Sequence, residues 1–173
     1  MVPSPQPVTI RRAGVEWELV CTQHVPYPLD DVFNFFASVR NLERITPDFL
    51  HFRIRRAPAD PLRAGALIDY RLGLHGVPVW WRTKIQEWQA PRRFVDVQLR
   101  GPFRLWHHTH EFIADDTGTL ITDTVRFDVY FRLLYRTPIM GWIDRDLRRI
   151  FEYRRARIVK LLRQDLLSPA KST

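Results

Sequence analysis

Two histidines one residue apart, His108 and His110, are the residues whose type and spacing are best suited to chemistry. On a strand, side chains at i and i+2 point to one face, so both imidazoles address the same site. Asp123, beyond a turn, and Arg154, much further along, complete the set. Such a histidine pair could share a metal ion with Asp123 as third ligand. A His–Asp pair could also act as a general base in a desolvated pocket. Arg154 would repel a cation, so no metal and no other cofactor is assigned. For covalent chemistry there is no Gly-x-Ser-x-Gly turn, and Cys21, the one cysteine, has no base visible beside it. Glycine patterns that cradle phosphates are absent as well.

The turn Asp115-Asp116-Thr117-Gly118 predicts how these groups meet. A symmetric hairpin pairs Ala114 with Thr119, Phe112 with Ile121, His110 with Asp123 and His108 with Val125. Phe112, Ile121, Val125 and Phe127 should face a core, and parity carries Trp106, His108, His110 and Asp123 to the same face. A turn at Gly101-Pro102 that pairs Arg100 with Phe103 sets Val95 against His108, which sends Asp96 outward. By the same alternation Tyr70, Trp81 and Thr83 look inward, and Trp80 and Trp88 look outward.

These residues need a framework, and the chain supplies one. Residues 15–25 alternate as a half-buried strand. Pro28, with Asp30 and Asp31 behind it, starts a short helix, and a second covers Val39–Ile45. Period-two patterns follow at Phe49–Arg56, Leu67–Leu74, Val77–Trp88, Phe94–Arg100, Phe103–Ala114 and Thr119–Tyr130. Last comes an amphipathic helix over Ile139–Arg163, whose apolar stripe includes Leu147, Phe151 and Ile158 and also, near its centre, Arg154. The order implies an antiparallel meander with the long helix over one face. Residues 1–13 read as a loose tail, 14–165 as one domain and 166–173 as a C-terminal tail.

Length and composition set bounds. A chain of 173 residues with 45 % hydrophobic residues can bury one core. The formal charge is +8, much of it on the back of the last helix. Without a helix-turn-helix, zinc-finger, KH or RNP-type signature, that charge reads as a solvated face, and nucleic acid is not an expected partner. No apolar run approaches a membrane span, and the first residues lack a secretory pattern, so a cytoplasmic location is expected, with peripheral membrane contact left open. Monomer and homodimer are both compatible with the sequence.

The order of elements resembles the helix-grip fold of the START-like superfamily, which includes birch-pollen allergens, polyketide cyclases and lipid-transfer domains. The segments VPYPLDDVFNFFASVRNLERITP, WWRTKIQEWQAPRRFVDVQLRGPFRLWHHTHEF and ITDTV are similar to a bacterial ligand-binding branch of it. The resemblance implies an α+β fold in which a curved antiparallel sheet grips the C-terminal helix and leaves a cavity between them. It implies binding or transport of a small hydrophobic or amphipathic molecule rather than catalysis. The alternatives are an enzyme of cyclase, dehydratase or isomerase type, and a protein using its basic surface on RNA, ribosome or anionic membrane. The expected ligand-binding residues are Tyr70, Trp81, Thr83, Trp106, His108, His110, Asp123, Phe151 and Arg154. Arg154 is expected to point at the Asp123–His110 pair.

Overall fold

In the computed structural model, which describes residues 7–130 and 138–167, eight antiparallel strands form one sheet. The strands are β1 (Thr9–Ala13), β2 (Glu16–Val25), β3 (Arg53–Arg56), β4 (Leu67–Leu74), β5 (Val77–Gln89), β6 (Arg93–Arg100), β7 (Phe103–Asp115) and β8 (Gly118–Val129). Their order across the sheet is β1-β2-β8-β7-β6-β5-β4-β3. Helices α1 (Leu29–Ala37) and α2 (Val39–Arg44) lie between β2 and β3, and the long helix α3 spans Pro138–Leu167. This is the α+β helix-grip fold, a curved sheet around a C-terminal helix.

The apolar stripe of α3 divides between two parts of the core. Leu147 and Phe151 join Leu19, Trp81, Phe103 and Phe127. Ile158, Leu161 and Leu162 join Phe33, Phe94, Phe112 and Ile121 near α1. Arg154 falls between these two groups along the helix. Burying Phe112, Phe127, Phe151 and the aliphatic side chains around them is the main stabilising contribution, about 1.5–3 kcal/mol per large side chain.

The elements depart from the sequence pattern in four places. Residues 9–13, read as tail, pair with β2 from Thr9–Val20 to Ala13–Glu16. They are held there by Val8, 1 % exposed in the core, whose carbonyl accepts a hydrogen bond from Arg148 on α3. The expected strand at Phe49–Arg56 begins only at Arg53, because Asp48–Leu50 form a single 3-10 turn that ends at His51 with φ 45°. A bulge between Ile85 and Glu87 turns Trp88 inward, where its ring meets Phe33 at 5.1 Å. Finally, β6 and β7 pair one residue out of the expected register, with Val95 opposite Thr109 and Asp96 opposite His108. The side chain of Gln98 bridges that turn, its amide donating to the Phe103 carbonyl at 2.6 Å.

Candidate functional site

Between the sheet and α3 lies a cavity of about 290 Å³, with walls that include Phe52, Leu72, Tyr70, Trp81, Trp106 and Phe151. Its size is at the lower end of small-molecule sites, and its lining is mainly apolar with a few convergent polar groups. Of the residues expected from sequence, Tyr70, Trp81, Thr83, Trp106, His108, His110, Phe151 and Arg154 all line it. Asp123 does not reach the wall and stands behind the histidines.

The β7–β8 register is the one the turn predicts, with His110 opposite Asp123, His108 opposite Val125 and Phe112 opposite Ile121. The two imidazoles stack with centroids 3.8 Å apart. On one side His108 Nε2 lies 3.0 Å from Asp123 Oδ1, and His110 Nδ1 lies 2.7 Å from the same oxygen. The second contact is close but too bent for a hydrogen bond, so it acts electrostatically. On the other side Asp96 Oδ2 lies 2.9 Å from His110 Nε2 and 3.5 Å from His108 Nδ1. Each ring is thus clamped between two carboxylates. Phe94 stacks on His110 at 4.0 Å, and Trp106 and Phe151 meet His108 edge-on.

Asp96 is the member that sequence parity missed. The one-residue shift in the β6–β7 pairing turns it from the outer face to the inner one. A glutamine before a Gly-Pro turn is the only trace of that shift in the sequence, and it has no fixed reading.

Burial and mutual contact set the charges. Burial disfavours the charged form of His108, and the positive charge of His110 adds to this, so its pKa falls to about 4. Burial also opposes charge on His110, but Asp123 and Asp96 outweigh it and the pKa rises. For Asp123 the burial penalty is overcome by the two histidines, which hold the carboxyl well below its usual range. Asp96 is lowered for the same reason, with Arg154 contributing. The stacked rings titrate as a coupled pair in which His110 holds its positive charge more readily than His108.

Arg154 takes up the cavity wall but not the expected ion pair. Among the described residues it has no carboxylate within 4.0 Å, and Asp123 is engaged by the two histidines instead. Its guanidinium sits 5.4 Å from the Phe151 ring, and its Nε is buried without a hydrogen-bond partner. The indole N–H of Trp81 is buried and unpartnered too. Tyr70 and Thr83, by contrast, bond each other through their hydroxyls at 3.2 Å, and burial raises the phenol pKa well above its ordinary value.

A family model described as polyketide cyclase / dehydrase and lipid transport matches residues 25–154. No curated protein matches the chain. Among solved structures, protein Ms6760 from Mycobacterium smegmatis is 20 % identical, with a TM-score of 0.62 over 92 % of this chain and 99 % of that one. A protein of unknown function, SA2116 from Staphylococcus aureus, is 12 % identical with a TM-score of 0.67, covering 87 % and 96 %. Ara h 8.0201 is 14 % identical with a TM-score of 0.55, covering 83 % and 97 %. At these identities the likeness concerns the fold.

Proposed function

This chain belongs to the polyketide cyclase / dehydrase and lipid transport family, and on that premise we propose that it binds a small amphipathic molecule between the sheet and α3. The apolar body of the ligand packs against Tyr70, Trp81, Trp106 and Phe151. Its polar end, an oxygen acceptor and preferably an anion, meets Arg154 and the indole of Trp81, near the Asp96–His108–His110 cluster.

The observation that carries this reading is the pair of orphaned donors in the cavity wall. Nearly all buried polar groups in native proteins are hydrogen-bonded, and leaving one unmade costs about 1–3 kcal/mol. Arg154 Nε and Trp81 Nε1 are both buried without a partner and both belong to residues of the cavity wall. Neither group can accept a hydrogen bond, so the missing partner has to be an acceptor. A ligand with a carboxylate, sulfonate or carbonyl oxygen would satisfy them, and the aromatic walls would hold its body.

Titration with 8-anilinonaphthalene-1-sulfonate, an aromatic body with an anionic head, tests the proposal. Saturable uptake of one probe per chain is expected. Arg154→Met should weaken it about tenfold, the loss of one charged hydrogen bond. Leu72→Trp, which fills the cavity, should abolish it. Unsaturable uptake, or uptake indifferent to Leu72→Trp, would overturn the reading.

A further inference from the structure

We propose that Asp96, His108 and His110 form a binding site for one divalent transition-metal ion, with Asp123 as the carboxylate behind both rings. The inference rests on the geometry of these four side chains and not on which ligand fills the cavity.

Three donor atoms, His108 Nδ1, His110 Nε2 and Asp96 Oδ2, all lie within 4.8 Å of one another. The aspartate oxygen is 2.9 Å from one nitrogen and 3.5 Å from the other. An ion with bonds of 2.0–2.1 Å holds its ligands about 3.3 Å apart in tetrahedral geometry, close to both Asp96–histidine distances. The nitrogens facing away from this point both meet Asp123 Oδ1, at 3.0 and 2.7 Å. A ligating histidine commonly turns its other ring nitrogen to a carboxylate, which fixes the tautomer and strengthens the donor. Here one buried aspartate hydrogen-bonds His108 and is in electrostatic contact with His110. Two imidazoles and one carboxylate suit zinc, iron, cobalt or nickel in the divalent state better than magnesium or calcium.

Arg154 does not forbid the ion. Asp96 faces the position and Asp123 stands behind the two rings, so two carboxylates offset the cation, and among the described residues neither is within 4.0 Å of the Arg154 guanidinium. Metal entry requires His108 Nδ1 and His110 Nε2 to be unprotonated, so binding releases a proton held at either atom. Asp96, His108, His110 and Arg154 all line the cavity, so an anionic ligand there would share it with the ion.

The test is a calorimetric titration of chelator-treated, full-length protein with Zn²⁺. The pairs His24–Asp115 and His75–Asp146, which lie outside the cluster, are removed as competing sites by His24→Ala and His75→Ala. One equivalent should bind with that double variant as well as with the parent. It should be lost in His108→Asn/His110→Gln, and retained but weakened 10–100-fold in Asp123→Asn. The thermal midpoint of the His24→Ala/His75→Ala variant, whose cluster is intact, should rise with Zn²⁺ concentration. This readout decides the matter even if the cluster variants fail to fold. Absence of saturable binding and of any midpoint shift would overturn the proposal. So would full binding by a natively folded His108→Asn/His110→Gln protein.

Discussion

Asp123 is the residue whose removal should be felt most. It is 5 % exposed and its carboxylate meets both stacked histidines. Breaking a buried charged network by deleting one partner costs about 3–5 kcal/mol, since the other charge stays buried without compensation. Asp123→Ala should therefore lower the free energy of urea unfolding by about that amount, and a loss below 1 kcal/mol would show that the cluster is not a coupled unit. Arg154→Met should behave differently. Its Nε has no partner to lose, so stability should change by less than about 1 kcal/mol while probe affinity falls.

Cys21 gives a pH prediction with a definite sign. Burial, and after it the charge of Asp123, raises its pKa from 9.0 to about 11. The neutral thiol is thus favoured by folding: the stabilisation is complete below pH 9 and disappears as pH climbs to 11. Between those limits the wild type should lose stability relative to Cys21→Ala, as read from urea midpoints at each pH. Equal pH profiles would contradict the burial of an intact thiol.

At the scale of elements, β1 and the β7–β8 hairpin make opposite demands on the sequence. A chain beginning at Gly14 lacks Val8 and the whole first strand, and should lose at least about 2 kcal/mol from buried apolar area alone. A dispensable tail would leave the urea midpoint unchanged. At the hairpin, Gly118 has φ 150°, and a Cβ there would lie 2.1 Å from the Val25 carbonyl oxygen. Gly118→Ala should cost about 2 kcal/mol or more, because the clash is with backbone that cannot move aside.

Those two elements also mark what the sequence could convey. The β7–β8 register was legible because a strong turn signal and an unbroken alternation from Phe112 to Phe127 agree. The first strand was not, since nearly all of its residues are exposed and no alternation survives. Bulges are the main loss. The shift at Ile85/Glu87 reversed Trp88, and the offset at the β6–β7 turn reversed Asp96, because each added residue flips every side chain beyond it. Arg154 was legible as an intrusion on an apolar stripe. Its lack of an ion pair among the described residues was not legible.

Across the whole molecule, the formal charge of +8 is less available to partners than its total implies. On α3, Arg148 binds Asp144 and the Val8 carbonyl, Arg149 lies 4.1 Å from the Phe49 ring centroid, and Arg157 donates to the Arg44 carbonyl. Arg44 is itself engaged with Asp165. These arginines tie the helix to β1, α2 and the 3-10 turn. Among the described residues, no helix is long and apolar enough to cross a membrane. Among the described residues, two buried unpartnered donors, Arg154 Nε and Trp81 Nε1, belong to the aromatic cavity wall rather than to the basic back of α3.

Residue-resolved NMR on titration with 8-anilinonaphthalene-1-sulfonate measures that distinction directly. The account predicts shifts in slow or intermediate exchange at Tyr70, Trp81, Thr83, Trp106 and Arg154, with the Trp81 indole N–H moving most. Shifts confined to Arg145, Arg155 and Lys160 on the outer face of the helix, with the Trp81 indole unmoved, would contradict it.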